Sequence, residues 1–215
     1  TDSFVMSPCL RRRVQGPMAM SMVGSSCAFQ RVPPAEAAEA ADRAVKLCGL
    51  EEFLFAAAQI DLEAGREDRA RAMALELGKK VQDVHLAYAR LLKGYLSLKR
   101  GNAADAVRLF DEAQGFVDTW LGRRALGRAD LGAGACAEAA AEFEKCEKRQ
   151  GEALSLFLND FPSARYLDAL DYYMGRALEG QGKSAAAKAA YQRFLAIKAK
   201  ADPGQALVED ARKRA

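Results

Sequence analysis

Gly94-Tyr95-Leu96-Ser97-Leu98-Lys99-Arg100-Gly101-Asn102-Ala103-Ala104-Asp105-Ala106-Val107-Arg108-Leu109-Phe110 decides the fold, because its skeleton is written again further along the chain. Gly94, Gly101, Ala106 and Phe110 recur 33 residues later as Gly127, Gly134, Ala139 and Phe143. After a further 48 residues the same internal spacing returns as Gly175, Gly182, Ala187 and Tyr191. A unit of this length, repeated, is a supersecondary hairpin that cannot bury its apolar face alone and must stack on its neighbours.

Each unit reads as two helices. Over Tyr88 to Leu98 and Thr119 to Leu131 apolar residues recur at three- and four-residue steps, the period of one helix face. Gly101 and Gly134 fall where the first helix must stop, since glycine accepts the left-handed conformation that satisfies the last carbonyls. The second helix opens with Asn102 and Asp105 in one copy and Glu138 in the next, capping or negative groups at the positive end of the helix dipole. Ala106, Ala139 and Ala187 are placed for close approach of two backbones. Phe110, Phe143 and Tyr191 follow four residues later on the same face, so a small residue and a large one are expected to interlock.

This pattern resembles the tetratricopeptide repeat, in which a small residue and an aromatic in the first helix precede a turn glycine, then alanine and an aromatic in the second. The matching residues are Gly94, Gly101, Ala106, Phe110 and Ala113; Leu126, Gly127, Gly134, Ala139 and Phe143; and Gly175, Gly182, Ala187 and Tyr191. A weaker copy lies upstream as Leu54, Ala57, Ala58, Gly65, Ala70 and Leu77. The chain departs from the pattern in lacking the first-helix aromatic in most copies, in Cys146 at a small-residue position, and in Phe194, which is oversized for the same position. The resemblance implies an all-α fold, a tetratricopeptide-type helical-hairpin solenoid of about four repeats with an insertion before the last.

A second resemblance rests on Asp118-Thr119-Trp120-Leu121-Gly122-Arg123, Arg149-Gln150-Gly151-Glu152-Ala153-Leu154, Phe157-Leu158-Asn159-Asp160 and Tyr172-Tyr173-Met174-Gly175-Arg176-Ala177-Leu178-Glu179-Gly180. These strings are similar to the C-terminal repeat region of bacterial eukaryotic-like serine/threonine protein kinases, over roughly residues 51 to 215. In that family the kinase domain comes first, often with a membrane span after it, and the repeats form a sensing or docking part. The resemblance implies a regulatory region and carries no kinase chemistry. The chain has no glycine-rich phosphate loop before a strand, no His-Arg-Asp loop and no Asp-Phe-Gly loop.

Composition agrees with helices. Half of the residues are apolar but only 8% are aromatic, the balance being dominated by alanine, the strongest helix former. Four of the 32 basic and one of the 29 acidic residues fall in residues 1–34, which leaves 28 of each in the body and accounts for the whole net charge of +3. A neutral body gives no basic stripe for a nucleic-acid partner.

Residues 1–34 stand outside the pattern and read as a linker or irregular N-terminal segment, with 35–215 as the helical repeat domain. Arg11 to Arg13 precede the mildly apolar Pro17 to Ala28, but Gly24, Ser21, Ser25 and Ser26 interrupt it, and it is too short and polar to span a bilayer. From Ala35 a helix runs to Gly49 as the second helix of a preceding repeat. Between the last two full units lie 15 inserted residues, where Ala153, Leu154, Phe157, Leu158 and Phe161 prolong a helix until Pro162 breaks it and Ser163 caps the next. This segment packs on its own neighbours or folds as a flap into the groove.

In the tetratricopeptide family the first helices line the concave face, and the resemblance places Leu91 and Tyr95, Arg124 and Arg128, and Tyr172 and Arg176 there, with Tyr88 one turn earlier. Arginines over tyrosines make a docking strip for a protein or extended peptide carrying carboxylates or phosphate, through forked hydrogen bonds and ring stacking. Catalytic, metal and cofactor constellations are thin. His85 is the only histidine, and Cys9, Cys27, Cys48, Cys136 and Cys146 show no close paired spacing. Cys136 and Cys146 share one helix, too far along its axis for a disulfide, and read as small core residues. Glu142, Glu144 and Glu147 read as a solvated face. An odd set of cysteines favours a reducing, cytoplasmic compartment, while the kinase resemblance allows an extracytoplasmic one.

The function expected is therefore a non-catalytic interaction module that docks a protein or peptide, with no nucleic acid, no cofactor and no membrane span. The alternative is a structural scaffold whose groove is filled by the insertion or by a second copy. Self-association is expected in both cases, since uncapped repeat ends expose apolar surface.

Overall fold

The computed structural model describes residues 33–48, 52–150, 164–201 and 203–215. The N-terminal reading on residues 1–32 and the readings on the insertion, Pro162 and Ser163 lie outside them. All regular structure among the described residues is helical. The chain divides into two compact units, Thr1–Leu77 and Gly78–Ala215, inside what the spacing reads as one repeat domain.

The first unit contains α1 (Pro34–Cys48), α2 (Glu52–Glu63) and α3 (Glu67–Leu77). α1 packs on α2 and α2 on α3. An ionic knot ties the three helices together. Asp61 of α2 is fully buried, with Arg66 Nε 3.0 Å and Arg69 Nε 3.5 Å from its two oxygens, and both arginines also reach Asp42 of α1. The Arg66 contact lies off the N–H axis, so it is an ion pair and leaves Asp61 Oδ1 without a hydrogen bond. Burial therefore raises the Asp61 carboxyl above its usual range, and the two guanidiniums offset only part of that.

The second unit contains α4 (Asp83–Lys99), α5 (Ala103–Phe116), α6 (Trp120–Ala133), α7 (Cys136–Lys148), α8 (Ala164–Gly180), α9 (Ser184–Ile197) and α10 (Ala206–Arg214). Each helix packs on the next, and α6 also touches both α4 and α8. Alternate helices are thus neighbours as well as consecutive ones.

The repeated sequence produces a repeated local structure. Gly65, Gly101, Gly134 and Gly182 all take the left-handed conformation, with φ of 79°, 78°, 80° and 75°. At each, the glycine N–H donates to the carbonyl three residues back and the following N–H to the carbonyl five back. Gly101 reaches Leu98 and Asn102 reaches Ser97, as Gly134 reaches Leu131 and Ala135 reaches Asp130. This is the Schellman closure that satisfies orphan carbonyls at a helix end, made four times, including at the upstream copy. Asn102 accepts from the Asp105 N–H at 3.3 Å, and Thr119 from that of Gly122 at 3.0 Å, so the predicted cap at Asn102 holds.

The interlock expected between the alanines and the aromatics takes a different partner. Ala106, Ala139 and Ala187 are buried, but each aromatic sits on the glycine of the helix before it. A β-carbon placed on Gly127 would lie 2.6 Å from Phe143 Cε1, one on Gly175 2.6 Å from Tyr191 Cε1, and one on Gly94 would collide with Phe110 in the same way. Only glycine leaves room for the ring, and burying each ring contributes about 2 kcal/mol. The two oversized small-residue positions are absorbed in the core, since Cys146 and Phe194 are fully buried.

Candidate functional site

Thr119 caps α6 and fixes where its turns begin, so Arg124 and Arg128 fall one turn apart on one side of the helix. Both guanidiniums converge on one ring of α8. Arg124 Cζ lies 5.4 Å and Arg128 Cζ 5.2 Å from the centre of Tyr173, which in turn stacks on Phe143 at 6.0 Å. The ring is therefore held by the same aromatic that fills the Gly127 seat. Arg124 is buried, whereas Arg128 is half-buried and takes part in no ion pair among the described residues. Other arginines of this unit are committed: Arg123 to Asp118 and Glu142, Arg90 to Glu112, and Arg193 to Asp171. A guanidinium held over an aromatic face keeps its outward N–H donors for an anion.

The second part of the strip is closed by α10. Tyr172 is buried among Tyr173, Tyr191 and Phe194, and its hydroxyl donates to Asp210 Oδ2 at 2.8 Å and accepts from Arg176 Nη1 at 3.3 Å. Arg214 Nε donates to the same Asp210 oxygen at 2.7 Å. Arg214 Nη1 donates to Glu179 Oε2 at 2.7 Å, and Tyr191 donates to that oxygen at 2.9 Å. The Arg214 hydrogen bond holds the Asp210 carboxyl below its usual range, and burial raises the Tyr172 hydroxyl.

Of the seven residues expected on the strip, the structure brings Arg124 to Arg128 and Tyr172 to Arg176. Tyr88 and Leu91 are corrected into the core. Both are fully buried, because α4 is apolar almost all round at this level and Ala87, Ala89 and Leu92 are buried beside them. Tyr95 is half-buried with its ring edge-on to Phe110 at 5.2 Å. Sequence reasoning missed Tyr173, the residue both arginines share, although it stands beside Tyr172. It also missed Glu179, Asp210 and Arg214, the last two beyond the final repeat, where spacing carries no signal.

The acidic run on α7 is a second correction. Glu142 is buried, with Arg123 Nη1 3.1 Å from Oε2 and Lys145 on Oε1. Behind it, on α6, Asp130 is also buried, and among the described residues nothing donates to its carboxylate. Desolvation, together with Glu142, Glu138 and Asp111, pushes that carboxyl up to about 6, against a small opposing effect of Lys145.

Chemical reactivity is not favoured at the buried thiol of α7. Cys146 is buried, bonds toward the Trp120 carbonyl at 3.8 Å, and is pushed up to about 12 by desolvation. Among the described residues no group of three or more His, Cys, Asp or Glu is placed to hold a metal ion, and no helix is long and apolar enough to cross a membrane. No family model and none of the curated proteins matches this chain.

Proposed function

We propose that the helical hairpins form a tetratricopeptide-type solenoid that acts as a non-catalytic protein-protein interaction module. It docks an acidic or phosphorylated peptide on the strip formed by α6 and α8, as the C-terminal regulatory or sensory region of a bacterial serine/threonine protein kinase. The observation that carries the docking reading is the pair Arg124 and Arg128 over Tyr173, with Arg128 in no ion pair among the described residues. In a body with as many acids as bases, a half-buried arginine left to an aromatic ring is charge held ready for a carboxylate or phosphate from outside. The four equal helix closures and three glycine seats support the repeat reading.

The test is fluorescence anisotropy with fluorescein-labelled hexaglutamate and a phosphoserine peptide, on the native chain and on Arg128→Ala and Arg176→Ala. Loss of a charge-assisted contact weakens binding by about tenfold. Binding that is undiminished in both variants disposes of the strip. The kinase connection is tested separately by reading the coding sequence upstream of the Thr1 codon, and the absence of a kinase domain there sinks that part of the reading alone.

A further inference from the structure

We propose that α10 is a detachable occupant of the docking strip, with the Asp210 carboxylate seated on Tyr172 and Arg176 in the place of an acidic ligand group. The inference rests on the reading of that strip given above. Three observations carry it.

First, the contacts of Asp210 are those a ligand acid would make. Its Oδ2 accepts from the Tyr172 hydroxyl at 2.8 Å and lies 4.0 Å from Arg176 Nη1, and Arg214 of the same helix aims the carboxylate through a 2.7 Å hydrogen bond. Arg176 is otherwise exposed, with Glu179 Oε2 at 3.9 Å as its other acidic neighbour. The acid of α10 therefore sits where the strip's two first-helix residues on α8 meet.

Second, α10 is weakly anchored. It is nine residues long, its N-cap Gln205 makes no side-chain capping bond, and only Val208 and Ala211 are buried. A helix of this length is not stable alone, and what holds it is the buried Val208 and Ala211, the partly buried Leu207 and the ion pair of Arg214 with Glu179. Third, the chain enters it through a built turn, since Gly204 takes the left-handed conformation at φ 84°, next to Pro203. Opening there frees α10 while α9 stays on α8, packed through Tyr191 and Phe194.

An occupant of this kind lowers apparent affinity by the fraction of molecules in which the strip is open. The experiment measures binding of fluorescein-labelled hexaglutamate to the full chain and to Asp210→Ala and Glu209→Ala. Glu209 is exposed and neighbours Asp210, so both variants change net charge equally. Hydrogen exchange of α10 is followed in the native chain with and without saturating peptide. The expected results are binding tightened about tenfold by Asp210→Ala, a change under about twofold for Glu209→Ala, and faster exchange in α10 but not in α9 when peptide is bound.

Equal binding by the native chain and Asp210→Ala, with weakened binding by Arg128→Ala and Arg176→Ala, overturns the inference and keeps the strip, leaving α10 a fixed end cap. An equal gain from Glu209→Ala, or α10 exchange that is unchanged or slowed by peptide, overturns it too. No binding by any variant overturns both the strip and the inference built on it. Exchange in the native chain keeps the test open if Asp210→Ala disturbs folding.

Discussion

Asp130→Asn is expected to stabilise the second unit at neutral pH and to do nothing at pH 4. Asp130 lies four residues before a turn glycine, the position held by Asp61 and Ser97 in two other hairpins. There the side chain has a partner four residues after the glycine. Asp61 is paired with Arg69, and Ser97 donates to Asp105. In the α6–α7 hairpin that partner position is Glu138, and the Asp130 carboxyl is raised first by desolvation, then by repulsion from Glu142 and Glu138 of α7 and Asp111 of α5, with Lys145 of α7 opposing it. The folded carboxyl titrates at about 6 against an ordinary 3.8. The folded state therefore binds this proton more tightly than the unfolded one. Stability is fully present below about pH 4 and falls as the pH rises through 6. A shift of two pKa units corresponds to about 3 kcal/mol, and the need of a buried amide for its own partners reduces the expected gain at pH 7.5 to about 2 kcal/mol. Urea unfolding followed through Trp120 is the assay, because the chain's one tryptophan is buried in α6 and donates to the Cys146 carbonyl of α7 at 2.8 Å. A gain of equal size at pH 4 and pH 7.5, or a loss at pH 7.5, refutes the argument.

Gly127→Ala is expected to cost about 2 kcal/mol net, since the displaced Phe143 ring outweighs the gain in helix propensity. Gly115→Ala, where an added β-carbon meets nothing within 4 Å, is expected to be neutral or stabilising by under about 1 kcal/mol, and equal melting temperatures for the two variants would remove the glycine seat as an explanation. Asp118, held at about 2 by hydrogen bonds from Arg123 and Arg149, contributes stability above about pH 4 that is lost as the pH falls toward 2. These pairs are partly exposed, so Asp118→Asn is expected to lower stability at pH 7 by no more than about 1 kcal/mol and to match the native chain near pH 2, as measured by acid titration of the Trp120 signal. Iodoacetamide at pH 8 is expected to alkylate Cys136 in the folded chain and to spare Cys146, and mass spectrometry showing Cys146 modified first would overturn the burial argument.

What could be read in advance followed from backbone needs that only a few residue types meet. The glycine at each first-helix end was legible because a left-handed residue is required there, and the structure repeats the same two closing hydrogen bonds at Gly65, Gly101, Gly134 and Gly182. The upstream copy was legible from this glycine together with Leu54, Ala57, Ala58, Ala70 and Leu77, although its aromatic is missing. What could not be read was which small residue receives the ring. Ala106 lies one turn before Phe110 on the same helix and Gly94 on the helix before it, both are small, and only the crossing of the two helices shows which receives the ring. Charge was the least legible layer. Glu142 and Glu144 are two residues apart on one helix, yet one is buried against Arg123, 19 residues earlier on α6, and the other is exposed. For the same reason Asp210 was invisible as a partner of Tyr172, 38 residues earlier.

The division between legible and illegible positions follows the division of labour in each hairpin. The turn glycine, the seat glycine and the aromatic close each of the three full hairpins, with phenylalanine or tyrosine as the ring. The position after the seat glycine is not needed for that closure. It is Tyr95 in one hairpin, Arg128 in the next and Arg176 in the third, half-buried in the first two and exposed in the last. Side chains there change character from tyrosine to arginine without altering the ring contact that holds the helices. The cation over Tyr173 is therefore not required by packing, whereas Tyr173 itself is fixed by its stack on Phe143. A rigid ring supporting an arginine that the fold does not require is a preorganised contact, in which little side-chain freedom remains to be lost when an anion arrives.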